Sequence, residues 1–266
     1  MSKSNIVSHL KQKKISEVLS TGKRMDGRSF DEFRELSIKR NVLFKSEGSA
    51  EVRLGKTHVM VGVKVGTGTP FEDTPNEGVL MTNAEFTPIA NAAWEPGPPN
   101  EYSIELARVV DRGLRSAEVL DTSELCIISG KLVQIVYVDL YVLNYDGNLI
   151  DACSAGAIAA LLGARRPVYN VVEKEAKLSG EKVSLTVKKK PVAISIIKIG
   201  DNFILDPTAD EEDVMDCRLT ITFDEDGHIC TMQKSGSEGL TIDEIKKCIN
   251  MAQENAPKIM AKAIGD

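Results

Sequence analysis

The segment DGNLIDACSAGAIAAL, residues 146–161, has the composition of a strand end that turns into a buried helix. An Asp-Gly turn follows an apolar run, and small residues follow the turn. The N-terminus of such a helix presents free backbone N–H groups and a positive dipole end, which together bind phosphate. The turn contains no lysine or arginine, so the segment is either a phosphate site or the frame of one whose chemistry is missing.

A second candidate site is a row of arginines on the helix predicted over residues 102–119. At 100° per residue, one side is apolar and carries Leu106, Val110, Leu114 and Ala117. The other side carries two carboxylates followed by three guanidiniums: Glu101, Glu105, Arg108, Arg112 and Arg115. Because a guanidinium can hold a phosphate through two parallel hydrogen bonds, the row could bind an anionic backbone. The alternative is a solvated helix face on which Glu105 pairs with Arg108.

The composition is that of a globular chain without a bulk positive charge. Of its 266 residues 42% are apolar and 27% charged, and the net charge is −6. This balance argues against a protein that coats nucleic acid by charge alone, although a local basic patch is compatible with it. Aromatic residues make up 5% of the chain and give no indication of a base-stacking platform.

The sequence gives no indication of a metal site, a cofactor site, a signal peptide or a membrane span. The five cysteines contain no C-x-x-C pair and the three histidines lie far apart, so we expect reduced thiols in a cytoplasmic protein and no metal site. The G-x-G within 66–78 lacks a third glycine and a following helix, so we expect no dinucleotide and no other cofactor. The polar N-terminus and the absence of a long apolar run predict neither a signal peptide nor a membrane span.

The elements that must position these residues alternate between strands and helices. Period-two patterns predict an antiparallel meander over 36–65, and residues 125–143 are apolar on both faces, as in a sheet covered on two sides. Residues 170–190 are charged and are predicted to be a connector, while Thr241 and Glu244 predict a capping box at the start of the last helix. The order predicts an α+β fold of two related α/β subdomains, divided into an N-terminal helix (1–23), a first subdomain (24–180) and a second subdomain (181–266).

Three stretches together resemble the ribonuclease PH family: RMDGRSFDEFRELSIKRN (24–41), GSAEVRLGKTHVMVGVKV (48–65) and DGNLIDACSAGAIAAL (146–161). Their order and spacing also match, and the resemblance extends over residues 24–260. Within the family, EPGPPNEYSIELARVVDRGLR (95–115) is most similar to the archaeal exosome ring subunit that lacks an active site. The resemblance implies a ribosomal protein S5 domain 2-like fold, with mixed sheets packed with helices. It also implies a hexameric ring of three heterodimers that degrades RNA from the 3′ end with inorganic phosphate as the attacking group.

The resemblance can be carried over residue by residue at the turn. Catalytic members have Asp-Gly-Gly-Thr-Arg, or a Ser-Arg variant, where this chain continues from Asp-Gly into Asn148, Leu149 and Ile150. Leu149 stands at the hydroxyl position and Ile150 at the arginine position, and neither supplies a donor or a charge. An apolar pair makes it costly to bring a dianion to the turn. The resemblance therefore implies a degenerate phosphate site at Asn148, Leu149 and Ile150.

Family members also carry two carboxylates after a late strand, one of which protonates the leaving RNA oxygen. The matching segment is LDPTADEEDV (205–214), where Asp206 falls on the first acidic position and Glu211 or Glu212 near the second. These residues are relic acids, a magnesium-binding cluster or a solvated acidic turn.

Arg108, Arg112 and Arg115 correspond to the helix from which family members hold the RNA backbone. The resemblance thus implies a non-catalytic structural and RNA-binding subunit of the ring, without catalytic residues of its own. Its implied partners are a catalytic ribonuclease PH-like subunit, RNA-binding cap proteins and single-stranded RNA. Two alternatives stay open: the chain is itself an active phosphate-dependent 3′ exoribonuclease, or it is a lone RNA-binding protein that forms no ring.

Overall fold

The computed structural model describes residues 3–173 and 175–265, with the side chains of residues 11–173 and 175–265. The first part of the chain contains α1 (Lys3–Leu19), β1 (Leu36–Arg40), β2 (Gly48–Leu54), β3 (Thr57–Gly68), β4 (Val79–Phe86), α2 (Glu101–Ser116), a short 3-10 turn (Thr122–Leu125), β5 (Cys126–Ile128), β6 (Leu132–Asn144) and α3 (Leu149–Leu162). The remainder contains β7 (Arg165–Val172), β8 (Glu175–Ser184), β9 (Val192–Ile199), β10 (Asn202–Leu205), α4 (Ala209–Glu212), β11 (Cys217–Phe223), β12 (Ile229–Gly236) and α5 (Ile242–Ile264).

The larger sheet has the strand order β1-β2-β3-β6-β4, with β5 paired to β6. The predicted meander is formed by β1, β2 and β3, which pair antiparallel in sequence order. β4 pairs parallel with β6, so the sheet is mixed. The smaller sheet has the order β10-β9-β11-β12, and all of its pairings are antiparallel. The predicted α+β class, with mixed sheets packed with helices, is confirmed.

Helix α3 lies at the centre of the molecule, and every residue from Leu149 to Leu161 is buried. It packs against β2 and β3 of the larger sheet and against β9 and α5 of the second half. Its small residues allow this close approach, since a Cβ at Gly156 would lie 2.8 Å from methyl groups of Val52 and Val61. The sequence of small residues after the turn is thus explained by packing on both sides.

The last helix begins where the sequence predicted. The backbone N–H of Thr241 donates to the Glu244 carboxylate at 2.7 Å, and the Glu244 N–H donates to the Thr241 hydroxyl at 3.3 Å, which completes a capping box. At the other end of the chain, Ile15 and Leu19 of α1 are buried against Ile197 of β9. Residues 1 and 2 of the predicted N-terminal helix lie outside the described residues.

The charged segment 170–190 differs from its prediction. Much of it belongs to a two-stranded antiparallel hairpin of β7 and β8. Most side chains of this hairpin are exposed, although those of residues 166–169 are half-buried, so the alternation that marks a half-buried strand is missing. Residue 180, the predicted limit between the subdomains, falls inside β8, and that division stays a prediction. Among residues 3–173 and 175–265, no helix combines the length and apolar character that a bilayer span requires.

Candidate functional site

Helix α3 begins at a left-handed turn that presses against the segment before α4. Asn148 is the N-cap with φ 54° and ψ 47°, a conformation that asparagine adopts more readily than most residues. Gly147 precedes it with φ 83°, and a Cβ there would lie 2.4 Å from the carbonyl carbon of Thr208. The turn therefore needs glycine both for its backbone conformation and for space. It brings the N-terminus of α3 into contact with the predicted acidic residues.

The N-terminus of α3 is occupied by a carboxylate of the same chain. The backbone N–H of Asn148 donates to Oε1 of Glu212 at 3.0 Å, and the Tyr145 hydroxyl donates to Oε2 at 2.8 Å. Arg218 lies 3.3 Å from Oε1 of the same carboxylate. Burial, followed by the charge of Glu212, raises the pKa of Tyr145, so its hydroxyl keeps its proton for this hydrogen bond. Glu212 thus takes the position at a helix N-terminus that favours an anion.

Leu149 and Ile150 stand directly beside this carboxylate. They are 8% and 4% exposed, and both line a cleft of about 540 Å³ that Glu212 and Arg218 also line. The structure thus places two apolar side chains at the start of α3, at the positions where the resemblance predicts a degenerate phosphate site. The turn residues themselves carry no positive charge, and the two guanidiniums at the turn, those of Arg34 and Arg218, are paired with Asp206 and Glu212.

Asp206, the first predicted relic acid, is fully buried between two arginines. Arg34 donates to it through Nε at 2.8 Å and Nη2 at 2.7 Å, and Arg28 donates through Nη1 at 2.9 Å. The Asn148 amide donates at 2.8 Å to Oδ1 of Asp206, which also accepts from Nη2 of Arg34. Burial alone would raise the pKa of Asp206, but the hydrogen bonds and charge of Arg34 lower it below its ordinary value. Asp206 is therefore held as a carboxylate and does not carry a transferable proton at neutral pH.

Glu211, one of the two residues predicted near the second acidic position, forms a buried ion pair with Arg24. Arg24 donates from Nε to Oε1 at 2.9 Å and from Nη2 to Oε2 at 2.6 Å, a bidentate geometry. The two side chains are 0% and 2% exposed. Arg24 also donates to the backbone carbonyls of Leu205 and Asp206, both at 2.8 Å. Glu211 therefore ties the segment before β1 to the segment after β10.

The predicted acids thus separate into three environments. Asp206 and Glu211 are bound by arginines, and only Glu212 reaches the cleft. Asp210 and Asp213 lie at the surface, where both pair with Lys11, as expected of a solvated acidic turn. Asp206, Glu211 and Glu212 do not have such an environment. Sequence reasoning did not find their partners Arg24, Arg28 and Arg34. Arg24 and Arg28 belong to the R-x-D-G-R motif, which is the sequence feature from which these two partners could have been predicted.

The arginine row on α2 is not uniform. Arg108 is exposed and makes no hydrogen bond or ion pair within the described side chains. Arg112 donates to Oε1 of Gln233 at 2.8 Å, whereas Arg115 is paired with Asp111 at 2.7 Å and also donates to the Leu80 carbonyl. Among the residues described, the alternative Glu105–Arg108 pair does not form, because Glu105 faces Arg218 at 3.3 Å instead. Arg108 and Arg112 line a common groove, and Arg115 does not line it.

An aromatic cluster that the composition gave no reason to expect lies beside the turn. The rings of Phe86 and Trp94 stack with centroids 4.2 Å apart, and Trp94 lies 5.3 Å from the ring of Tyr145. All three rings line the cleft together with Leu149 and Ile150. The residues come from three separate segments, so only the fold brings them together.

Comparison with known proteins gives the family. Residues 32–167 match domain 1 of the 3′ exoribonuclease family of ribonuclease PH type, and residues 189–255 match its domain 2. The chain is 46% identical over 266 residues to exosome complex component Rrp42 of Thermococcus onnurineus, covering 99% of this chain and 98% of the relative. It is 47% identical to exosome complex component Rrp42 of Methanosarcina acetivorans over 256 residues, covering 96% of this chain and 94% of the relative.

A solved structure shows the same similarity in three dimensions. The fold matches a chain of the Archaeoglobus fulgidus exosome with RNA bound to the active site, with a TM-score of 0.88 and 42% identity. The match covers 97% of this chain and 99% of the other. Both domain matches and the near-complete coverage of the relatives lead to one conclusion: the chain belongs to the 3′ exoribonuclease family of ribonuclease PH type.

Proposed function

We propose that this chain is a non-catalytic, RNA-binding subunit of a hexameric archaeal exosome ring in the cytoplasm. In this ring a catalytic ribonuclease PH-like partner performs 3′-to-5′ phosphorolysis, three heterodimers form the assembly, and RNA-binding cap proteins sit on it. The near-full-length similarity to Rrp42 exosome components supports membership of the ring. The inactivity of the chain is a separate inference, and it rests on the geometry at α3.

The observation that carries this proposal is the Glu212 carboxylate on the backbone N–H of Asn148, 3.0 Å away, beside Leu149. A phosphate at the same helix end would face this carboxylate, and the guanidinium beside it, that of Arg218, is already shared between Glu212 and Glu105. Repulsion between two unit charges 4 Å apart is about 4 kcal/mol at an effective dielectric constant near 20, and phosphate carries close to two charges. The attacking group of phosphorolysis therefore has no favourable place in this chain.

The buried acids support the same proposal. General acid catalysis needs a group that carries a proton at the working pH and reaches the leaving oxygen. Asp206 is fully buried and ionised between Arg28 and Arg34, and Glu211 is enclosed with Arg24. Neither carboxylate is placed to donate a proton to RNA in the cleft.

The proposed role in RNA binding falls on Arg108 and Arg112. Both line one groove at the surface, and Arg108 has no partner within the described side chains that would compete with a phosphate. Contacts of this kind hold a single strand with little regard to sequence and weaken with salt. The chain would supply such contacts to the path that leads RNA to the partner's site.

The test measures release of nucleoside diphosphate from poly(A) in the presence of phosphate and magnesium. We expect no release by the purified chain alone and release by the chain assembled with its catalytic partner. Turnover by the chain alone would overturn the proposal and favour an active exoribonuclease. A light-scattering mass for the mixture gives the second readout: six subunits are expected, and a mass of one subunit would favour the lone RNA-binding protein.

A further inference from the structure

The cleft at the N-terminus of α3 is built for a planar group without negative charge. Its walls carry four aromatic residues from separate segments: Phe86, Trp94, Tyr102 and Tyr145. Tyr102 on the first turn of α2 is 65% exposed, so its ring is accessible from solvent. Leu149 and Ile150 form an apolar surface between these rings. Aromatic and aliphatic walls of this kind accept a ring that stacks.

The charged groups of the cleft exclude phosphate. Glu105, Glu212 and Asp213 line it on the acidic side, and Arg218 is its single cation among the lining residues. Arg218 lies 3.3 Å from both Glu105 and Glu212, so its charge is already balanced. Carboxylates accept hydrogen bonds, and exocyclic amino groups of nucleobases donate them. The cleft therefore favours the base of a nucleotide over its phosphate.

A polar atom in the wall is without a partner. The Oγ of Ser235 on β12 is buried and makes no hydrogen bond within the described chain, although the residue lines the cleft. Buried hydroxyls are nearly always hydrogen-bonded, and a rotation of the Ser235 side chain toward the cleft would bring this hydroxyl to a bound group. A hydroxyl can donate or accept, which suits the mixed edges of a base.

The cleft is continuous with the groove of the arginine row. Glu105 lines both the cleft and the groove that contains Arg108 and Arg112. A strand whose phosphates lie along these arginines therefore lies beside Glu105, which also borders the cleft. The two surfaces differ in charge balance: two guanidiniums and two carboxylates line the groove, whereas three carboxylates and one guanidinium line the cleft.

We propose that this cleft binds one unpaired nucleobase of the RNA strand whose phosphates contact Arg108 and Arg112. The proposal rests on the proposed function, because it requires RNA on α2. The site that has lost its phosphate-binding side chains then keeps a nucleotide contact of a different kind. Stacking contributes affinity without ion release, so its signature differs from that of the arginines.

The experiment uses the ring reconstituted with its catalytic partner in phosphate-free buffer, where RNA stays intact because phosphorolysis has no attacking group. The probe is a single-stranded RNA that carries 2-aminopurine, a fluorescent base quenched by stacking. Tyr102→Ala should weaken binding by about fivefold or more and reduce the quenching, with an unchanged salt dependence. Phe44→Ala removes a fully exposed ring that does not line the cleft and serves as the matched control, with unchanged affinity expected.

Two further variants separate failure of this proposal from failure of the proposed function. Arg108→Ala combined with Arg112→Ala should weaken binding and lower the salt dependence. If that double variant binds RNA normally, RNA contact on α2 is wrong and the RNA-binding part of the proposed function fails with it. If it weakens binding while Tyr102→Ala and Trp94→Leu leave affinity and quenching unchanged, only the base site is wrong. A Tyr102 effect in the chain alone that disappears in the ring would also overturn the base site, since a protein neighbour would then cover the cleft.

Discussion

The backbone N–H of Asn148 lies 3.0 Å from Oε1 of Glu212, so helix α3 begins on a carboxylate that the chain itself supplies. The contact joins residues 64 positions apart in sequence. It satisfies a donor that an α-helix leaves free at its N-terminus and places a negative charge at the positive end of the dipole. The position at the helix end that favours an anion is therefore already filled, and the apolar Leu149 and Ile150 lie beside it.

Restoring phosphate binding should require removal of this carboxylate as well as restoration of the donors. We expect Leu149→Ser with Ile150→Arg to bind phosphate weakly, because Glu212 still repels it. Adding Glu212→Gln should tighten binding by about tenfold, the effect of roughly 1.4 kcal/mol. Isothermal titration calorimetry with inorganic phosphate measures the difference. Equal affinity of the double and triple variants would show that Glu212 does not occupy the anion position.

The Arg24–Glu211 pair should contribute strongly to stability because breaking it leaves a buried charge alone. We expect Glu211→Gln to lower the free energy of unfolding by about 3–5 kcal/mol, the usual cost of removing one partner of a buried pair. Urea denaturation measures the change, and Lys246→Ala, which breaks an exposed pair with Asp243, should stay within about 0.5 kcal/mol of the wild type. A small effect of Glu211→Gln would mean that water or another group compensates Arg24.

Much of the fold could be predicted because its signals are local. The apolar period of α2, the alternation in β1 to β3 and the capping box at Thr241 each depend on residues within a few positions of one another. The small residues of α3 likewise indicated close packing, and the structure buries them on all sides. The hairpin of β7 and β8 was missed because charged residues on both faces give no strand period.

The candidate site could be predicted only in part because its contacts are distant in sequence. Asp206 was found as an acid, but its bonds to Arg28 and Arg34 join residues 178 and 172 positions apart. Arg24 and Glu211 are separated by 187 positions. Nothing in the spacing of these residues distinguishes a catalytic carboxylate from one enclosed by arginines. The environment that decides between the two is created by packing α3 between the sheets.

The three arginines of α2 should differ in their effect on RNA binding. Arg115 is held by Asp111 and by the Leu80 carbonyl, so moving it to a phosphate breaks two contacts, whereas Arg108 is unpaired within the described side chains. We expect Arg108→Ala to lower the salt dependence of binding by about 0.7 in the slope of log affinity against log salt, the value for one phosphate contact on a single strand. Arg115→Ala should leave the slope unchanged.

Fluorescence anisotropy with a labelled RNA at several salt concentrations measures both slopes in the reconstituted ring. The mass of each variant ring serves as the control for assembly. A lower slope for Arg115→Ala and an unchanged slope for Arg108→Ala would reverse the assignment and point to RNA on the side of α2 that faces β4.

The Asp151 carboxyl should make the protein less stable as pH rises toward neutrality. It lies in the first turn of α3, and burial raises its pKa from the ordinary 3.8 to about 7 in spite of hydrogen bonds from the Ser195 N–H and the Asn148 amide. Its Oδ1 is a buried acceptor without a donor in the described chain, and a proton on that oxygen would remove its buried charge. Of the charged groups around it, Asp206 raises its pKa further and is itself neutralised by Arg28 and Arg34.

Because the folded pKa of Asp151 lies above the unfolded one, its contribution to stability is complete below about pH 4 and is lost as pH rises to about 7. Asp151→Asn keeps the shape and removes the titration. We therefore expect the variant to gain on the order of 2 kcal/mol relative to wild type between about pH 5 and pH 8, from 1.36 kcal/mol for each pKa unit. Urea denaturation of both proteins at each pH measures this difference in the free energy of unfolding. The contributions of the other titrating groups cancel because both proteins contain them. A difference that stays constant with pH would mean that Asp151 is ionised in the folded protein throughout this range.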